Sequence, residues 1–235
     1  MKILRLRGDI PAKFKKAATS LAHANSKELS AHTVEGSDAF LLFTQAEVTS
    51  RLKHDLQLVE SPIVYQGVKY IAEVIFAIDD SVAPEKLAGF ITYKPRSPAL
   101  TSASIAYAVV DAAYRGQGVL KAMLNELLSH YPNLGLDCPV ALVPLYEKFG
   151  FRVVGAHGGH VAMNLGEING IHITFTEQEM MHSPQMKEAQ LRMKATLRQE
   201  WAAALDRFHR QNAQAELRAQ EFVSSKCSET GKAAN

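Results

Sequence analysis

Tyr114-Arg115-Gly116-Gln117-Gly118-Val119-Leu120 stands between two stretches of different period. Upstream, Ser104-Ile105-Ala106-Tyr107-Ala108-Val109-Val110 is apolar and partly β-branched, and it reads as a strand. Downstream, Val119, Leu120, Met123, Leu124, Leu127 and Leu128 recur at helical spacing. The quoted residues therefore carry the chain from a strand into a helix N-terminus. Such a turn aims several free backbone N–H groups at one point, and the helix dipole adds to their preference for negative charge. Glycine at 116 and 118 lets the backbone approach an anion with no Cβ between them. Arg115, Gly116, Gln117, Gly118, Val119 and Leu120 are accordingly expected to hold a phosphate or pyrophosphate, against the alternative of an ordinary glycine-bearing turn.

Further on comes Leu145-Tyr146-Glu147-Lys148-Phe149-Gly150-Phe151, and then Val161-Ala162-Met163-Asn164-Leu165. The Arg-x-x-Gly turn after a strand resembles the acyl-CoA pyrophosphate loop of the GNAT (Gcn5-related) N-acetyltransferases. The Leu-Tyr-Glu-Lys-x-Gly-Phe run is similar to that family's second hallmark, and Met163 matches a common closing strand. Two departures stand out. Leu120 occupies a loop position that is usually Gly or Ala, and Pro139 replaces an Asn that in many relatives touches the pantetheine arm.

The resemblance implies an α/β fold with a mixed sheet, the GNAT-like acyl-CoA N-acyltransferase fold, here with a long C-terminal helical extension. It implies acetyl-CoA as cosubstrate, bound where two neighbouring parallel strands splay apart. A primary amine would then attack the thioester directly in a ternary complex, with no covalent enzyme intermediate and no metal. Val109 and Val110 would lend backbone polar groups to the pantetheine, while their side chains fill core. Tyr146 would be the general acid for the departing thiolate, its other role being to pack a helix on the sheet. The base is open. Where many relatives carry a strand Glu, this strand offers Ser102, Ser104 and Tyr107, so Glu73, Asp111 or a water chain remain as alternatives.

Composition sets bounds. A chain of 235 residues with 47% hydrophobic content can bury a full core, and a net charge of +2 makes no case for nucleic acid or a membrane surface. Lys2, Arg5, Arg7, Lys13, Lys15 and Lys16 make the N-terminal stretch locally basic, as a solvated face would be. The two cysteines, Cys138 and Cys227, lie far apart without metal-ligand spacing. With no signal core and no long apolar run, the expectation is a cytoplasmic protein. His157 and His160 read as solvent-facing loop histidines rather than metal ligands, and Cys138 as a small buried hydrophobe.

The remaining pattern orders the chain. Met1 to Arg7 reads as an edge strand, and a helix follows Pro11 with Ala17, Leu21 and Ala22 as its buried stripe. Gln45 to Leu58 reads as helical. Strands are expected at 71–78, 87–93, 134–140, 151–154, 159–165 and 171–175, with a helix at 142–149 ended by Gly150. The acetyltransferase domain thus spans 1–175. Ser183-Pro184 opens a helix with no Gly or Pro before Phe222, and Leu197, Trp201, Ala204, Leu205 and Phe208 share one face. A continuous helix of roughly forty residues would run about 60 Å, beyond a domain about 40 Å across. It must bend back, project, or pack on a partner; association of two copies through 176–223 is the favoured expectation, with 224–235 as a disordered end. The rival functions are a non-catalytic acyl-CoA-binding module and an assembly protein built around that helix.

Overall fold

The computed structural model describes residues 1–33, 38–98 and 100–232. The chain runs β1 (Lys2–Leu6), α1 (Ala12–Ala24), α2 (Ser26–Leu29), α3 (Asp38–Glu60), β2 (Ile63–Tyr65), β3 (Val68–Tyr70), β4 (Glu73–Asp79), β5 (Lys86–Pro95) and β6 (Ser102–Val110). Then come α4 (Val119–Leu128), β7 (Asn133–Cys138), α5 (Val143–Glu147), β8 (Arg152–His157), β9 (His160–Leu165), α6 (Glu177–Met181), α7 (Pro184–Leu197) and α8 (Trp201–Lys232). Seven strands form one sheet in the order β1-β4-β5-β6-β7-β9-β8, with β1 at the expected edge. Every neighbouring pair is antiparallel except β6 and β7, which run parallel.

Alternation along β4 sorts the two faces. Ile75 and Ala77 point into a core shared with Val119, Met123, Leu124 and Leu127 of α4, and with Val143 and Tyr146 of α5. Val74, Phe76 and Ile78 point the other way, onto Phe14, Ala18 and Ala22 of α1 and Val48, Leu52 and Leu56 of α3. The buried stripe of α1 is thus Phe14, Ala18 and Ala22, rotated from the expected Ala17, Leu21 and Ala22. Helix at 45–58 is found within the longer α3, which absorbs the apolar run Phe40–Phe43.

Two expectations about elements change, and one element is new. Ile171–Phe175 does not add a strand; only Ser97 and Ile171 pair, as an isolated bridge. A small hairpin, β2 with β3, turns through Gln66 and Gly67 at φ 49° and 75°. The C-terminal helix is interrupted at Arg198, where φ is 43°, and a short 3-10 turn spans Arg198–Glu200. So it bends back. On α7, Met193 joins Phe40 and Phe43 of α3, together with Ala204 and Phe208 of α8. Phe208 stacks on Phe40 at 4.8 Å. Asn212 binds both backbone groups of Thr33, Ala215 lies against Gly159, and Lys226 pairs with Glu147 of α5 at 3.1 Å. The apolar face is therefore covered by the chain's own domain, and α8 runs on through 224 to Lys232, where composition predicts a disordered end. Residues 34–37 and the terminal 233–235, the latter within the expected disordered end, lie outside the described residues.

Candidate active site

β6 and β7 pair only at Ser102↔Asn133, Ala103↔Leu134 and Ser104↔Gly135. β6 then continues to Val110 beside β5, while β7 continues to Cys138 beside β9. The two parallel strands therefore part after Ser104 and Gly135, leaving backbone groups along the gap without a strand partner on that side. A cavity of about 520 Å³ opens there. Its strand walls are Ser104–Ala108 of β6 and Gly135–Cys138 of β7. Because Tyr146 belongs to the α4 face and Glu47 to α3, the cavity reaches both sides of the sheet through the gap.

At the far end of β6 lies the glycine turn. Asp111 caps the 3-10 turn Ala112–Tyr114, accepting from the Ala113 N–H at 2.9 Å. Gly116 and Gly118 take φ of 75° and 80°, and Gly118 caps α4 in the left-handed conformation. No protein acceptor among the described residues faces the N–H groups of Gly116, Gln117, Gly118, Val119, Leu120 or Lys121. That leaves a run of free donors at a helix N-terminus, as the sequence predicts. The bulky Leu120 side chain packs on the α4 core, away from those donors.

Arg115 bonds to neighbouring protein groups. Its N–H closes the 3-10 turn onto Ala112, and its guanidinium reaches Asn25 at 2.8 Å, Glu28 at 3.2 Å and the Val110 carbonyl at 3.2 Å. It ties the turn to the α1–α2 corner. Gln117 folds its amide onto the Ala113 carbonyl at 2.8 Å. Val109 is buried in the α3-side core opposite Phe90 and Val110 pairs with Gly89; both lie past Ala108, between the cavity wall and the turn.

Tyr146 lines the gap and packs edge-on to Phe151 at 5.7 Å. Its hydroxyl makes no hydrogen bond to the described residues, so it is unspent. Burial, helped by nearby Cys138, pushes the phenol up to about 12, which keeps it a proton donor. Cys138 is buried beside Met163, its thiol also pushed up to about 12 by burial. It behaves as the expected small hydrophobe.

Two of the suggested bases sit elsewhere. Glu73 faces the α4 side, outside the cavity, where Arg5, Arg7, Tyr93 and Tyr131 surround it. Asp111 is spent as a cap. What sequence reasoning missed is the polar face of α3. Glu47, Arg51 and Asp55 recur every fourth residue and all line the cavity. Glu47 takes a short hydrogen bond from Ser30 and pairs with Arg51 at 3.3 Å; Asp55 pairs with Lys94 at 2.7 Å. That spacing was legible in the helical stretch 45–58. The segment after β9 closes the cavity with His172, whose Nδ1 takes an N–H from Arg96 at 2.9 Å. Burial and the Arg96 charge push His172 down to about 4, so it is neutral. His157 and His160 end and begin strands, and both line the cavity; His160 is only half exposed.

Comparisons with known proteins agree with this geometry. Residues 52–151 match the model of the acetyltransferase (GNAT) family. No curated protein matches the chain. Among solved structures, the PaiA N-acetyltransferase of Thermoplasma acidophilum in complex with coenzyme A aligns at TM-score 0.50 and 17% identity, over 70% of this chain and 98% of that one. PH1933 from Pyrococcus horikoshii OT3 aligns at 0.47 and 19%, over 72% of this chain and 100% of that one. An aminoglycoside 6'-N-acetyltransferase complexed with coenzyme A aligns at 0.45 and 15%, over 70% and 96%. Residues 52–151 thus match the GNAT acetyltransferase family model, and the splayed sheet around them has the fold of the PaiA N-acetyltransferase.

Proposed function

We propose that the protein is an N-acetyltransferase that passes the acetyl group of acetyl-CoA to a primary amine by direct attack. The observation that carries this reading is the parting of β6 and β7 between a turn of free N–H donors and an unspent tyrosine hydroxyl. The turn at 116–121 would take the pyrophosphate, and the gap would take the pantetheine along β6. The thioester would then lie between Ala106 or Ala108 of β6 and Tyr146. Collapse of the tetrahedral intermediate would release sulfur as a thiolate, which the neutral phenol of Tyr146 protonates. The α3 side of the cavity, with its buried ion pairs, is left for the amine.

Calorimetric titration with acetyl-CoA tests this directly. Wild type should bind at micromolar Kd, and Gly118→Glu should lose at least tenfold by placing a carboxylate among the donors. A melting curve checks that the variant, strained at its positive φ, remains folded. Absence of binding to the wild-type protein removes the cofactor and the acetyl transfer together.

A further inference from the structure

An amine must shed a proton before it attacks, and the charged groups of the α3 side and His172 are already committed. Glu47 is committed to Ser30 and Arg51, Asp55 to Lys94, and His172 to Arg96. Along the strand walls of the gap, the β6 side offers only hydroxyls. Of these, the Tyr107 phenol is pushed up by burial and the Glu47 and Asp55 charges. On the β7 side Asp137 is the one carboxylate. Leu134, Leu136 and Cys138 point into the α4-side core, so Asp137 projects onto the opposite, α3 face. It lies just beyond the last β6–β7 pair, Ser104↔Gly135, where the strands begin to part.

Asp137 has a partner brought from far along the chain. β7 pairs with β9 and β9 with β8, which closes with His157 opposite His160. This sets His157 Nδ1 2.8 Å from Asp137 Oδ2. A carboxylate accepting from Nδ1–H fixes the tautomer and leaves Nε2 with its lone pair available. The His157 side chain is 79% exposed, so a proton it collects can pass to water.

We propose that Asp137 and His157 form the proton relay that deprotonates the acceptor amine, an assignment that rests on the acetyl-transfer reading above. The ammonium of the acceptor gives one proton to His157, whose imidazolium is held by Asp137 and discharges to solvent. The free amine forms a C–N bond at the thioester carbonyl. As the C–S bond breaks, Tyr146 protonates the sulfur, and the second amine proton restores the phenol. The products are an amide, the free thiol of CoA and one released proton. Asp137 on β7 bonds His157 and His160 on β9 lies beside it, while Glu47 on α3 and His32 after α2 act on His160 in turn. Arg218 and Glu221 of α8 border the same hairpin near Gly159.

The test compares two small nucleophiles with acetyl-CoA, following thiol release above the uncatalysed rate. n-Butylamine is an ammonium ion at neutral pH and needs the relay; hydroxylamine is already a free base there and does not. Asp137→Asn and His157→Gln should each lose about 10²-fold in kcat/KM with butylamine but less than tenfold with hydroxylamine. Raising the pH should narrow the butylamine deficit. Equal losses with both nucleophiles would assign the pair a structural role and overturn the proposal, as would no loss with either. Acetyl-CoA titration of the same samples separates the levels. Wild type that binds acetyl-CoA but turns over neither nucleophile overturns the relay and catalysis while leaving the cofactor site. Wild type that does not bind overturns the acetyl-transfer reading itself.

Discussion

A carboxylate serves as a base only where it meets substrate and is free to exchange a proton, and Glu73 meets neither condition. Arg5 donates to its Oε2 through Nε at 2.9 Å and through a terminal nitrogen at 2.6 Å, and Arg7 reaches Oε1 at 2.9 Å. The phenols of Tyr93 and Tyr131, both pushed up by burial and by this carboxylate, add bonds of 2.6 and 2.9 Å. Glu73 is a lock joining β1, β4, β5 and the end of α4. Tyr146 is its opposite: buried, neutral, with a hydroxyl that no hydrogen bond among the described residues uses. One pair of variants separates lock from catalyst. Glu73→Gln leaves two guanidinium groups short of their anion and should cost about 3 kcal/mol, a Tm lower by roughly 6–12 °C for a chain of this size. Its kcat should hold below the transition. Tyr146→Phe should keep its Tm and lose about 10²-fold in kcat, with KM for acetyl-CoA unchanged. Because the Tyr146 pKa is raised, the acid form persists through the alkaline range. Wild-type kcat should therefore show no fall from this group until the pH nears about 12. A Glu73→Gln enzyme that melts normally but is inactive would return the carboxylate to the chemistry.

Elements were legible where their chemistry is local in the chain. The turn at 114–120 and the Tyr146 helix declare themselves because glycine spacing, apolar period and motif lie within a few residues of one another. The parting of β6 and β7 is not local: it depends on which strand each borrows as its other neighbour. The same holds for Asp137 and His157, which meet only through the β7-β9-β8 order. Glu47, Arg51 and Asp55 were readable as one helical face, yet nothing in the sequence says that this face meets the gap. The break between α7 and α8 was hidden for another reason. Arg198-Gln199-Glu200 contains no helix breaker, and tertiary packing overrides local propensity by holding Arg198 at φ 43° and ψ −113°. That conformation suits glycine. Arg198→Gly should therefore stabilise by about 1 kcal/mol, seen as a Tm rise of roughly 2–4 °C. A fall in Tm would mean that α7 and α8 do not bend there in solution.

At the scale of the whole molecule, the question is what the C-terminal fifty-odd residues add to a domain whose relatives align with only about 70% of this chain. The helix was expected to seek a partner copy, because a straight rod outruns the domain. The bend removes that need. Phe208 fills a cluster with Phe40, Met193 and Ala204, while Ala215 and Ala219 are buried and Phe222 and Val223 pack against the core that holds Tyr146. Lys226 then reaches Glu147, the residue after Tyr146. Exposed as it is, that ion pair adds little energy by itself. Burying Phe208 contributes about 2–3 kcal/mol, and the other contacts bring the total to roughly 5 kcal/mol. α8 is therefore a brace across the β8–β9 hairpin and the short helix carrying the proposed acid. Ending the chain after Leu197 should lower Tm by roughly 10–20 °C and cut kcat more than acetyl-CoA affinity, since the pyrophosphate turn lies outside the braced region. Its molar mass by light scattering should fall only by the residues removed. Were the full chain instead a dimer that the truncation dissolves, with Tm nearly unchanged, the helix would be an association device and the brace would be wrong.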